Sequence, residues 1–273
     1  MRLAAALFTG AALGLTSSPA MAGAWTQPKG QGQVIVKYED MRADQGFDSD
    51  GNPVGLGYER RDTALSGFAE YGLTDRLTLQ LKGDWQSGED NFVDYEGRGP
   101  LEIGVTWQAW RDDRTAVSLY AGYADGGEGR NAGYADPGVG GEDYEVRAAF
   151  GRSFAGPAPG KKRRWWKRML NPGRSFVDVQ VARRMRGGLP DETRADLTFG
   201  RHIGERWMLL NQAYGGIADD PVPGQDGPRW VQLETSFVRR SGPWSVQLGW
   251  RHTMSGRETP RSQGPIIGVW RRF

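Results

Sequence analysis

Arg76-Leu77-Thr78-Leu79-Gln80-Leu81-Lys82-Gly83-Asp84-Trp85-Gln86 alternates without a break. Successive side chains of an extended strand point to opposite faces. Leu77, Leu79, Leu81, Gly83 and Trp85 therefore share one side, and Thr78, Gln80, Lys82, Asp84 and Gln86 share the other. The apolar side is aliphatic and ends on an aromatic ring. The polar side carries both signs of charge. A strand in the wall of a membrane barrel has this form, with the aliphatic face toward lipid, the polar face toward the lumen and aromatics at the interfaces.

Working outward, the same period recurs about twelve times. Val34, Val36 and Tyr38 oppose Gln33, Lys37 and Glu39, and a second segment spans about 59–71. Later segments cover about 100–110, 115–124, 143–154, 175–184, 194–202, 230–239 and 244–254, and the last ends at Phe273. The segment at 206–214 is apolar on both faces, so its phase is not set by alternation. Long connections at about 43–57, 87–98, 125–141, 187–192, 215–228 and 255–263 alternate with short ones at 72–75, 111–114, 204–205 and 240–243. Short turns on one side and long loops on the other, with an even strand number, are the habit of outer-membrane barrels. The expected fold is all-β, a transmembrane antiparallel β-barrel of about 12 strands. A soluble β-sandwich has the same period. The aliphatic outer face, with Tyr38, Tyr71, Trp85, Trp107, Tyr123, Trp207, Trp244 and Trp270 near strand ends as a girdle, favours the barrel.

The compartment agrees. Arg2, an apolar run from Leu3 to Leu15 and Ala20-Met21-Ala22 read as a secretory signal over 1–22, leaving a barrel domain over 23–273. The expected location is the outer membrane of a Gram-negative bacterium, with its lipid as a partner. Mean hydropathy is −0.61, which a barrel tolerates because apolar and polar residues average out along each strand. Zero Cys removes thiol catalysis and thiolate metal sites.

Net charge is +2, yet residues 1–150 hold 13 Lys+Arg against 23 Asp+Glu, and residues 151–273 hold 22 against 10. Alternation places Glu39, Asp62, Glu70, Asp84 and Glu102 on the lumen side of early strands, and Arg184, Arg194, Glu234, Arg251 and Arg272 on that of later ones. Opposed charged walls set selectivity in pores. These residues are the expected pore lining of a channel with a transverse field. The alternative is a small barrel whose interior is filled by ion pairs and passes nothing.

One connection that should be short is long. Residues 155–174 contain Lys161-Lys162-Arg163-Arg164-Trp165-Trp166-Lys167-Arg168. Cations beside Trp suit an anionic lipid surface, although a solvated basic loop reads equally well. Nucleic acid is not an expected partner in this compartment.

Catalysis has little to build on. A serine hydrolase needs a His base, and His202 and His252 are the two available, with His252 and Ser255 the pair to examine. Gly-Arg-Ser at 151–153 and 173–175 does not form a nucleophile elbow. Asp48-Ser49-Asp50-Gly51-Asn52 spaces oxygens like a calcium loop, but Pro53 stands where Gly is wanted, and Asp-Gly-Asn is ordinary turn chemistry. No phosphate-cradling glycine loop precedes a helix, so no cofactor and no enzyme activity are expected.

Tyr71-Gly72-Leu73-Thr74-Asp75-Arg76-Leu77-Thr78-Leu79 resembles a turn that recurs in bacterial outer-membrane barrels. Gly99-Pro100-Leu101-Glu102-Ile103-Gly104, Gly23-Ala24-Trp25-Thr26-Gln27-Pro28-Lys29-Gly30 and the ending Gly268-Val269-Trp270-Arg271-Arg272-Phe273 extend the likeness. Together they resemble outer-membrane transporters of the kind associated with the meta-pathway of phenol degradation. The resemblance implies a channel for a small aromatic solute, whereas the charged residues on the lumen side suit a small polar one. It also implies that Phe273 is the signal read by the barrel-insertion machinery. Arg271 departs from the pattern at a position that is usually apolar or aromatic.

Overall fold

The computed structural model describes residues 23–91, 94–154, 174–220 and 226–273. The signal segment 1–22 and the basic stretch 161–168 lie outside the described residues. The strands are β1 (Gly32–Phe47), β2 (Pro53–Thr74), β3 (Leu77–Glu89), β4 (Asp94–Arg98), β5 (Leu101–Arg111), β6 (Thr115–Asp125) and β7 (Glu142–Phe154). They continue as β8 (Ser175–Arg186), β9 (Glu192–Ile203), β10 (Trp207–Ala218), β11 (Arg229–Ser241), β12 (Trp244–Arg257), β13 (Thr259–Pro260) and β14 (Gln263–Arg272).

Sequential antiparallel pairing runs around the wall, and β1 closes the circle by pairing with both β2 and β14. The two shortest strands, β4 and β13, fold back on β3 and β1, leaving twelve strands in the closed barrel among the described residues. Closure leaves no free edge within the twelve-stranded wall, which a spanning sheet requires because lipid offers no hydrogen-bond partners.

Register carries the alternation intact from strand to strand. Leu81 lies beside Ala69 on β2 and Ile103 on β5, and all three face outward. Val36, Leu65, Val105, Leu119, Val146, Val181, Leu197, Leu248 and Val269 belong to the same exposed apolar band. Two rings of aromatics bound it. Tyr71, Trp107, Trp207, Trp244 and Phe273 lie toward the short-turn end, and Trp85, Tyr144 and Trp250 toward the long-loop end. Arg271 also points outward, and its guanidinium lies over the Trp244 ring, 5.2 Å from its centroid. Its stem covers apolar surface while its head reaches the polar boundary.

Several expectations need correction. Trp270 is not in the girdle. It faces inward and is 1% exposed, packed with Ile35, Phe176, Met208, Leu210 and Val238. Register decides this: its neighbours Val269 and Arg271 face out, so it faces in. β10, which alternation left unphased, points Met208, Leu210 and Gln212 inward and Trp207 and Ile217 outward. Both faces are apolar because the lumen itself is apolar at this level. β1 and β2 run well beyond the lipid band, so the long connection expected at 43–57 shrinks to a turn at 48–52. The connection at 87–98 contains the β3–β4 hairpin.

Candidate functional site: the lumen

The short-turn mouth is built first from the chain's own N-terminal segment. Residues 23–31 lie inside the barrel against β2, β3, β5, β6 and β8. Ala24 N–H donates to Asp178 Oδ2 at 2.9 Å, Gln108 Nε2 donates to Ala24 O at 2.9 Å, and Ser118 Oγ donates to Gly23 O at 2.8 Å. Gln27 N–H donates to Thr78 Oγ1 at 2.8 Å, and the Gln27 side-chain amide donates to Glu70 at 2.5 Å. Trp25 packs edge-on against Phe176 at 6.5 Å. Two glycines make room for the segment. A Cβ at Gly72 would come within 2.1 Å of Pro28 O, and one at Gly151 within 2.2 Å of the Trp25 ring.

At mid-lumen the charges form two networks. In one, Arg251 donates to Glu39 Oε2 and Glu234 Oε2, each at 2.8 Å, and lies over the Tyr214 ring. Lys37 adds an ion pair to Glu39 at 2.8 Å. In the other, Arg184 Nε donates to Asp143 at 2.9 Å and Arg184 Nη1 reaches Glu102 at 3.3 Å, while Tyr120 O–H donates to Glu102 at 2.8 Å. Glu145 pairs with Arg147, and Glu192 pairs with Arg186 and Arg194.

The remaining expected residues also face inward. Asp62 accepts from Arg60 Nε at 2.6 Å and Tyr95 O–H at 3.0 Å. Asp84 accepts from Gln86 Nε2 at 2.8 Å. Acidic and basic residues are therefore joined within single strands and between strands, not held apart as two walls. A transverse field is largely cancelled by this pairing. Lys82, Asp84 and Asp196 form no ion pair among the described residues, and Lys82 is exposed although it faces the lumen. Alternation had already placed Lys82 on the polar face. That it stays open while Glu102, opposite it on β5, pairs with Arg184 is a property of the closed barrel.

The long-loop mouth is covered by residues 126–141. Gln86 Oε1 accepts from Arg130 N–H at 2.8 Å, and Arg130 forms an ion pair with Asp62 at 3.6 Å. Arg186 Nη2 donates to Asn131 O at 2.7 Å, and Tyr134 O–H donates to Glu192 at 2.7 Å. Asn131, Ala132 and Ala135 are buried.

The groups singled out for hydrolase and calcium chemistry are His252 with Ser255 and the loop at Asp48. His252 faces outward, with Met254 Sδ 3.0 Å from its Nε2, and no hydrogen bond joins it to Ser255 among the described residues. Asp48 turns its carboxylate on its own loop, accepting from Asn52 N–H at 2.8 Å and Asp50 N–H at 3.0 Å. The Asn52 N–H first, then the neighbouring donors, holds that carboxyl below the usual aspartate range. Gly51, at φ 84°, completes the turn.

No family model matches the chain, and no curated protein does. Solved structures do. A COG4313 outer membrane channel from Pseudomonas putida F1 superposes with a TM-score of 0.70 at 12% identity, covering 94% of this chain and 99% of that one. The KdgM porin in complex with disordered oligogalacturonate gives a TM-score of 0.50 at 7% identity, covering 88% and 99%. The chain has the fold of these outer-membrane barrels.

Proposed function

We propose that this protein is an outer-membrane channel passing small polar solutes by passive diffusion. The observation that carries this reading is the interior: a closed barrel turns its aliphatic face to lipid and keeps Lys82 exposed within the lumen, opposite Glu102 but in no ion pair among the described residues. Desolvating a charge without a contact partner in a sealed interior costs several kcal/mol, so Lys82 favours a hydrated path. The fold shared with a solved outer membrane channel supports the same reading. The charged lumen favours polar over aromatic solutes. The inward residues Glu39, Asp62, Glu70, Asp84, Glu102, Arg184, Arg194, Glu234 and Arg251 are its proposed lining.

In this reading the short turns are periplasmic and the long loops extracellular. Cleavage after Ala22 makes Gly23 the first residue, which places its amine beside the buried Asp178. Phe273, exposed and stacked on Tyr71 at 6.5 Å, serves the insertion machinery, and residues 161–168 meet the anionic inner leaflet.

A non-conducting barrel is the second reading. It is favoured by residues 23–31 and 126–141, which fill the two mouths. Single-channel recording of the refolded protein in a planar bilayer separates the two. Discrete steps establish the pore, and silence from inserted, folded protein establishes the closed barrel.

A further inference from the structure

Just inside the short-turn rim, one inward step beyond the apolar layer, four basic side chains converge. Arg240 follows Val238 on β11, Arg272 follows Trp270 on β14, the exposed Arg174 stands one residue before β8, and His202 stands opposite Met208 across the β9–β10 pair. The His202 backbone N–H donates to Arg174 O at 2.8 Å, and the charges of Arg174, Arg240 and Arg272 all bear on the His202 ring. Arg174 and Arg272 also bear on Arg240, which forms no ion pair with a carboxylate among the described residues. Glu70 is the carboxylate that acts on Arg272, and the two form no ion pair among the described residues.

Arg240 Nε, Arg240 Nη2, Arg272 Nη2 and His202 Nδ1 are all buried without a hydrogen-bond partner. Arg272 Nε reaches Gln33 Oε1 at a long 3.4 Å. Arg184 Nη2 and Arg186 Nε at mid-lumen also lack a hydrogen-bond partner, but both arginines hold a carboxylate, so what sets the rim apart is that Arg240 and Arg272 form no ion pair among the described residues. Buried guanidinium donors left unpaired are costly, and like charges brought together add to that cost. An oxyanion offsets both, because the fork of an arginine matches two oxygens at once.

We propose that Arg240, Arg272, His202 and Arg174 form an anion-binding site at the periplasmic mouth, built for the oxygens of a phosphate group. The phosphate is either that of a free solute or that of a lipid headgroup. The site stands apart from conduction: it can bind in a barrel that never opens, so its failure and the failure of the channel reading are seen in different experiments.

The test is the unfolding midpoint of the refolded protein in dodecyl maltoside micelles, which carry no phosphate. Sodium phosphate is compared with sodium chloride at equal ionic strength, and in a separate arm phosphatidylglycerol is added to the micelles. Anything that binds the folded state alone raises its stability by mass action. The expected result is a phosphate-dependent rise in the native chain that is absent in Arg240→Gln. Arg240→Gln is also expected to have the higher midpoint when no phosphate is present, since it removes an unpaired buried cation. Arg272→Gln, where Gln33 remains as a partner, is the second variant should Arg240→Gln refold poorly. Arg239→Gln is the control, because Arg239 faces outward over Trp207 and its loss should leave the response intact. A rise with free phosphate identifies a solute, and a rise with phosphatidylglycerol alone identifies a headgroup. No rise in either arm, or an equal rise in the Arg240 and Arg272 variants, overturns the proposal.

Discussion

At the scale of single residues, partners matter more than charge. Arg251 is 14% exposed and holds Glu39 and Glu234 through two 2.8 Å hydrogen bonds. Removing one member of a buried ion-pair set leaves the others uncompensated, typically at about 3–5 kcal/mol. Arg251→Met should therefore destabilise the barrel by about that amount, read as a drop in the urea midpoint of unfolding from detergent or bilayer. Asp112, in the exposed turn between β5 and β6, accepts N–H groups from Arg114 at 2.8 Å and Thr115 at 2.7 Å. The Arg114 and Thr115 amides hold its carboxyl below the usual range. A depressed folded pKa stabilises above the unfolded value of about 3.9 and loses that contribution as pH falls through the folded value. Asp112→Ala should lower the unfolding midpoint at neutral pH, and the gap from the native chain should close below about pH 4. A gap that persists in acid would mean that Asp112 acts through something other than its charge.

At the scale of elements, the segment 23–31 is the part whose role is least like a barrel strand. It has one isolated bridge to the wall, between Lys29 and Gly72, and is otherwise held by Asp75 in the short turn and by side chains that alternation points inward: Glu70, Thr78, Gln108, Ser118 and Asp178. Trp25 is its apolar anchor, seated on Phe176. Trp25→Ala removes that anchor without touching the wall. The expected outcome in a planar bilayer is a larger or more frequent conductance step than the native chain shows, with the gel mobility of the folded barrel unchanged. Unchanged current would assign the solute path to the far side of the lumen, along β11 to β1.

At the scale of the whole molecule, closure brings charges from both halves of the chain together and lets most of them cancel. What remains open decides selectivity, and Lys82 is an exposed cation at mid-lumen. Lys82→Gln should shift the reversal potential in a salt gradient toward cation preference, whereas Arg194→Gln should shift it less, because Arg194 is already bonded to Glu192. Equal shifts would mean that the ion pairs open in the conducting state.

The β3 stretch Leu77 to Trp85 was readable in advance because a strand's two faces depend only on the parity of residue number, and lipid on one side with water on the other imposes the same parity throughout the wall. The lumen side of Glu39, Asp62, Glu70, Asp84, Glu102, Arg184, Arg194, Glu234 and Arg251 follows from that parity alone. Parity says nothing about height or about which strands face each other across the interior. The inward turn of Trp270, the phase of Met208 and Leu210, the seating of Trp25 on Phe176, the pairing of Arg184 with Glu102 and the meeting of Arg240 with Arg272 all depend on register and closure. These are contacts between residues far apart in the chain, and only a closed barrel sets the distance between them.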